Sequence, residues 1–274
     1  MSLTRLMAST TGHPETVLGI IDGPVRTDHP DLASATIRQL SAPSGTGHGA
    51  AYDHATAIAG ILVAGRDTAD PGICPDATLL VRAIFTAVRG AGAVPPAELA
   101  SAIVEMVDAG VRVINLSLCL MPPAAQAGDN QLPDALDYAF QRGAIVVAAT
   151  GNQATIGSSV ITRHHAVIPV VAYDLHGRPL PGSNFAHSTG RRGAGAPGEG
   201  VTGLSADGGR RAFGGTSAAA AFVTGGVGLL LSLFPGAGAA ELLFAVTRSM
   251  ARRTSVVPPL FNAWSAAELL RSMR

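Results

Sequence analysis

The chain has 274 residues, 47% of them apolar and 14% charged, which is material for a large packed interior near the upper size for one hydrophobic core. Its 19 basic residues balance 19 acidic ones, which excludes the one-signed electrostatic footprint of a nucleic-acid or anionic-membrane binder. Two cysteines, Cys74 and Cys119, exclude a disulfide framework and are expected to be free thiols in a reducing compartment.

The opening stretch MSLTRLMASTTGHPETV has no apolar run followed by a small-residue cleavage site, so no secretory signal is expected and the chain is expected in the cytoplasm. TVLGIID (16–22) is the first of several short Val- and Ile-rich runs that read as buried strands, and it ends on Asp22. His54 is expected to open a helix, ATAIAGILVAG. The run ATLLVRAIF (77–85) reads as a strand, and PPAELASAIVEMVDAG after it as a helix with Pro at its start and Gly at its end. RVINLSL (112–118), the helical LPDALDYAFQRG, AIVVAAT (144–150) and AVIPVVAYD (166–174) continue the alternation. FGGTSAAAAFVTGGVGLLLSLF (213–234) is uncharged and long enough for a bilayer span. Its four consecutive alanines and its glycines make it less lipophilic than a leucine-rich span, so it reads as a buried helix of a soluble fold and no membrane partner is expected. The arginine pairs at 191–192, 210–211 and 252–253 read as solvated loop or helix ends.

Alternating strands and helices predict an α/β fold of three layers, a mainly parallel twisted sheet with helices on both faces. No linker or low-complexity stretch divides the chain and no internal repeat is found, so one domain over residues 1–274 is expected. In such a sheet, reactive groups gather beyond the carboxyl ends of the strands. Asp22, His54 and Ser217 are all expected there. A serine nucleophile needs a base to take its proton, and the base needs a carboxylate to hold its tautomer and stabilise the imidazolium. The bland reading of Ser217 is a helix cap that satisfies the N–H groups of the first turn. Asn152, in AATGNQ, offers a side-chain donor for an oxyanion and the Ser217 N–H a second one, although Gly-Asn is also ordinary turn chemistry. His48, in GHGAAYDH, competes with His54 for the role of base.

Together these segments resemble the subtilisin-like serine peptidases, whose residues follow the chain order Asp, His, Ser. IIDGPVRTDHPDL resembles the family's aspartate segment, and HATAIAG its His-Gly-Thr-His-Val-Ala-Gly with His54 as base. VVAATGN resembles the oxyanion asparagine segment, and GTSAAAAFVTG the family's Gly-Thr-Ser-Met-Ala-Ala-Pro-His-Val-Ala-Gly with Ser217 as nucleophile. The resemblance implies a catalytic set of Asp22, His54, Ser217 and Asn152, and a substrate-binding set of Ser117, Leu118, Cys119, Ala149, Thr150 and Gly151. The Ala-Gly that closes the histidine motif favours His54 over His48. The chain departs from the pattern at Gly23-Pro24, Ala55, Ala57 and Ala221, none of which removes a triad atom. Cys119 stands where the family has a glycine at the mouth of the pocket for the P1 side chain, so it is expected to narrow that pocket. DGPV and ILVAGRDTADPGICPDATLLVRAIF resemble the proteases that mature cyanobactin-type ribosomal peptides, which implies a precursor-peptide substrate. Only residues 23–53 separate Asp22 from His54, too few for the lid of the macrocyclising relatives, so hydrolysis is expected. A general scavenging protease and a catalytically silent peptide-binding module are the alternatives. No cofactor is expected. Relatives often bind calcium, but no dense Asp/Asn loop supports a metal site here, and the sequence leaves the oligomeric state open.

Overall fold

A computed structural model describes residues 1–40, 48–85, 93–118, 120, 131–249 and 255–274. Seven strands among them form one parallel sheet: β1 (Val17–Asp22), β2 (Thr36–Gln39), β3 (Thr78–Ala83), β4 (Val113–Leu116), β5 (Ile145–Ala149), β6 (Val167–Tyr173) and β7 (Ala194–Pro197). Their order is β2-β3-β1-β4-β5-β6-β7, with every pairing parallel. The central strands carry Val, Ile and Leu at successive positions because both faces are covered. In β1, Leu18 and Ile20 enter one hydrophobic cluster and Ile21 the other; in β5, Ile145 and Val147 part from Val146 and Ala148 in the same way. This is the two-residue period of a strand seen from both sides.

One face is covered by α1 (Leu3–Met7), α2 (Ala50–Val63), α7 (Gly215–Leu233), α8 (Ala239–Arg248) and α9 (Ala263–Ser272). The other is covered by α3 (Pro96–Asp108), α4 (Gln131–Gln141) and α5 (Val160–Arg163). A further helix, α6 (His187–Arg192), leads into β7. The three layers are those the alternation predicts. Helix α7 is long and apolar enough to cross a membrane, but 78% of its most apolar window is buried inside the chain's own fold. Its four alanines let it lie close against the sheet.

Three local expectations change. Helix α2 starts at Ala50, after Gly49 in a left-handed conformation (φ 116°), so His54 sits inside the helix and does not open it. The arginines 210–211 belong to a strand: β8 (Val201–Leu204) and β9 (Arg210–Phe213) form an antiparallel hairpin. Arg210 pairs with Asp31 at 2.5 Å and Arg211 with Asp53 at 2.8 Å, so these are structural ion pairs and not free loop ends. The serine at the start of α7 is not its cap. The N-cap is Gly214, without a side-chain cap bond, and Ser217 is the third helical residue. The pair 252–253 lies outside the described residues.

Candidate active site

Asp22 ends β1, in the middle of the sheet, and is 1% exposed. A buried carboxylate needs donors. Its Oδ1 receives the His54 Nδ1 hydrogen at 2.8 Å and the Gly23 N–H at 2.7 Å. Its Oδ2 is buried without a partner. Pro24, two residues on, carries no N–H to offer it. A Cβ on Gly23 would lie 2.2 Å from the Ala51 carbonyl oxygen, so glycine is what lets the first turn of α2 press against the end of β1. That contact brings His54 within reach of Asp22. The charge of Asp22 is thus directed through one oxygen at His54.

His54 is partly exposed, at 24% of its side chain. Burial disfavours its charged form most strongly, but the Asp22 charge and hydrogen bond together outweigh burial and raise its pKa. The β8–β9 hairpin holds the ring from the other side. Ser205 Oγ and the Ala206 N–H donate to Asp53 Oδ1 at 3.0 and 2.9 Å, fastening the hairpin to α2 one residue before His54. Phe213, at the end of β9, meets the imidazole edge to face with centroids 5.5 Å apart. His48 is exposed and precedes α2, and the partner of Asp22 is His54.

Hydrogen bonds from two strand ends fix the N-terminal half of α7, whose first turn carries Ser217. From β4, Asn115 Nδ2 donates to Ser117 Oγ at 3.0 Å and Asn115 Oδ1 accepts from Thr224 Oγ1 at 3.0 Å. Ser117 Oγ in turn lies 3.5 Å from the Ser217 carbonyl. From β5, the Gly151 N–H donates to Thr216 Oγ1 at 3.2 Å, and Asn152 Oδ1 accepts the Thr216 N–H at 2.9 Å. Asn152 therefore supplies the cap that Ser217 does not. Because Oδ1 is spent on the helix, Nδ2 is the end of the amide left to donate to a ligand. Gly215 (φ 70°) makes room: a Cβ there would stand 2.8 Å from Asn152 Oδ1.

Beside this turn lies a cavity of about 210 Å³ lined by Leu116, Leu118, Leu120, Ala149, Thr150 and Gly151, with Gln153, Ser159, Ile161 and Asn184 among its other walls. Leu118, Ala149, Thr150 and Gly151 are four of the residues the resemblance assigns to substrate. Ser117 is buried behind them, bonded to Asn115. Cys119, expected at the pocket mouth, lies outside the described residues. The volume is below the roughly 300–1,000 Å³ of a drug-sized site and suits one amino-acid side chain.

Asn184 was not legible in the sequence. Its Oδ1 accepts the N–H groups of Gln153 and Thr155, each at 3.1 Å, and its Nδ2 donates to the Thr150 carbonyl at 3.0 Å and to Gln153 Oε1 at 2.7 Å. One amide thus clamps the loop that carries Asn152. The β8–β9 hairpin was also missed, although Asp207-Gly208 between its strands is a hairpin turn signal.

Residues 13–261 match the Subtilase family. A thermophilic serine proteinase of Bacillus sp. (strain AK1) is 31% identical over 185 residues, 64% of this chain; the match spans 43% of that relative's own length. Among solved structures, the patellamide maturation protease PatA superposes with a TM-score of 0.82 at 29% identity, covering 95% of this chain and 98% of the other. The prenylagaramide maturation protease PagA superposes with a TM-score of 0.86 at 26% identity, covering 98% of each.

Proposed function

The chain belongs to the subtilase family, and we propose on that premise that it is a serine endopeptidase that cuts a precursor peptide during maturation of a ribosomal peptide product. The observation that carries the chemistry is the 2.8 Å contact between His54 Nδ1 and the buried Asp22 carboxylate. It fixes the tautomer of His54, with its proton on Nδ1, and leaves Nε2 as a base.

Ser217 Oγ attacks the scissile carbonyl carbon as His54 Nε2 takes its proton. The carbonyl oxygen becomes an anion, held by Asn152 Nδ2 and the Ser217 N–H at the positive end of α7. His54 then gives its proton to the leaving amine, and an acyl-enzyme remains on Ser217. Water, deprotonated by the same imidazole, hydrolyses that ester and restores the serine. The P1 side chain occupies the 210 Å³ cavity.

PatA and PagA are both named as maturation proteases, and their likeness along almost the whole chain supports the substrate reading. Mass spectrometry of the chain incubated with peptides encoded beside its gene tests it. Cleavage at one site of a precursor, with casein left largely intact, is expected. Digestion of casein at many sites with no preference for any precursor contradicts a maturation role and makes the chain a scavenging protease.

A further inference from the structure

On the face of the sheet that carries α4 and α5, three side chains that the proposed chemistry does not use converge. Asp137 belongs to α4, and His164 and His165 follow α5 directly. His164 Nε2 lies 3.4 Å and His165 Nε2 3.7 Å from the same oxygen, Asp137 Oδ1. One ligand atom from each residue falls within 4.8 Å of the others. Around a tetrahedral zinc ion with bonds of about 2.0–2.1 Å, neighbouring donors stand roughly 3.4 Å apart. The two contacts to Asp137 Oδ1, at 3.4 and 3.7 Å, stand at or within a few tenths of an ångström of that spacing.

We propose that Asp137, His164 and His165 form a binding site for a four-coordinate divalent transition-metal ion of the zinc type, with water as fourth ligand. Two imidazoles and one carboxylate are a donor set that zinc favours. The His164 side chain is only 10% exposed, whereas Asp137 and His165 are 46% and 66% exposed, which leaves one side open for ion and water. The second ring is oriented too, because His165 packs edge to face on Phe140 of α4 with centroids 5.8 Å apart. The Ala166 N–H donates a long hydrogen bond of 3.4 Å to His164 Nδ1, which metal binding through Nε2 would give up, since the ring proton then moves to Nδ1. Arg192 donates to the carbonyls of Arg163 and His164 and its charge opposes a cation, while the Asp137 carboxylate offsets it. A bound ion would tie α4 to the end of α5, next to Ser159 and Ile161 in the wall of the P1 cavity.

The chain, purified without a polyhistidine tag and stripped with chelator, is titrated with Co²⁺ in the visible and with Zn²⁺ by calorimetry. Neither measurement depends on turnover, so it stands or falls apart from the proposed peptidase activity. One ion per chain is expected, with the strong absorption of four-coordinate cobalt and a Tm that rises with Zn²⁺ concentration. Affinity is expected to drop at least tenfold in His164→Ala and in Asp137→Asn, since even partners behind the ligands are worth about 10–100-fold. His176→Ala and His54→Ala are expected to bind as the wild type does. Asp137→Asn keeps its shape at a half-exposed position and so serves if His164→Ala fails to fold. Weak six-coordinate absorption, unchanged affinity in Asp137→Asn, or loss of binding in His54→Ala would each overturn the site.

Discussion

His54 has to be neutral at Nε2 to accept a proton, yet the Asp22 contact favours its charged form. Burial works against the imidazolium, but the Asp22 charge and hydrogen bond win and the pKa rises. The acidic limb of kcat/KM is therefore expected above the ordinary histidine value of about 6.5, and a pH–rate profile measures it. Asp22→Asn should move that limb to lower pH and cut kcat by about 10⁴-fold, because the amide favours the wrong tautomer. The stability term has the opposite sense to that of a paired carboxylate. A raised folded pKa stabilises fully below the unfolded value, and the contribution is lost as pH rises through the folded one. The Tm advantage of wild type over His54→Ala should thus be greatest on the acid side and shrink towards alkaline pH. If Asn152 acts as proposed, Asn152→Ala should lower kcat by about 10²–10³-fold with little change in KM, since Nδ2 would bond the oxyanion and not the ground-state carbonyl. The resemblance singled these residues out in the chain because the proposed chemistry fixes both their identity and their order. Asn184 was not legible, because its work is done through contacts with residues some thirty positions away, between Thr150 and Thr155.

The first turn of α7 is the element on which the site depends. Gly215 holds a left-handed φ of 70°, and a Cβ there would press on Asn152 Oδ1 at 2.8 Å. Gly215→Ala combines backbone strain of about 1–2 kcal/mol with displacement of Asn152, the proposed oxyanion donor. Its kcat should fall by more than its Tm loss would suggest, which paired kinetics and melting curves would reveal. The loop from 150 to 155 depends on Asn184 in the same way. In Asn184→Ala the N–H groups of Gln153 and Thr155 and the Thr150 carbonyl lose a partner, and each such hydrogen bond is worth about 0.5–1.5 kcal/mol net. A drop in kcat larger than the rise in KM is expected, because Asn152 loses its support; a change in KM alone would confine Asn184 to the pocket wall. Elements whose hydrophobic pattern matches their burial could be placed from sequence, as with β1 and β5. The edge strands could not: β7 reads Ala-Gly-Ala-Pro, without strand propensity, and forms because β6 offers it a ladder.

At the scale of the molecule, the parallel sheet brings together groups far apart in the chain. Asp22 lies at the carboxyl end of β1, Ser117 and Leu118 follow β4, and Asn152 follows β5. In the proposed mechanism the strand ends supply the carboxylate, one pocket wall and the oxyanion donor, while α2 supplies the base from its second turn and the first turn of α7 supplies the nucleophile. The alternation of apolar runs and amphipathic helices made this architecture readable, because strands covered on both faces must be apolar throughout. The β8–β9 hairpin escaped because its burial is slight and its role is to hold other elements, through Asp53 and Phe213. The proposed function rests on a single nucleophilic serine, Ser217. Labelling with a fluorophosphonate, followed by peptide mapping, tests that claim most directly. One adduct on Ser217 of the wild type, strongly reduced in His54→Ala and absent in Ser217→Ala, is the predicted result; equal labelling of Ser217→Ala, or an adduct on any other residue, would contradict it.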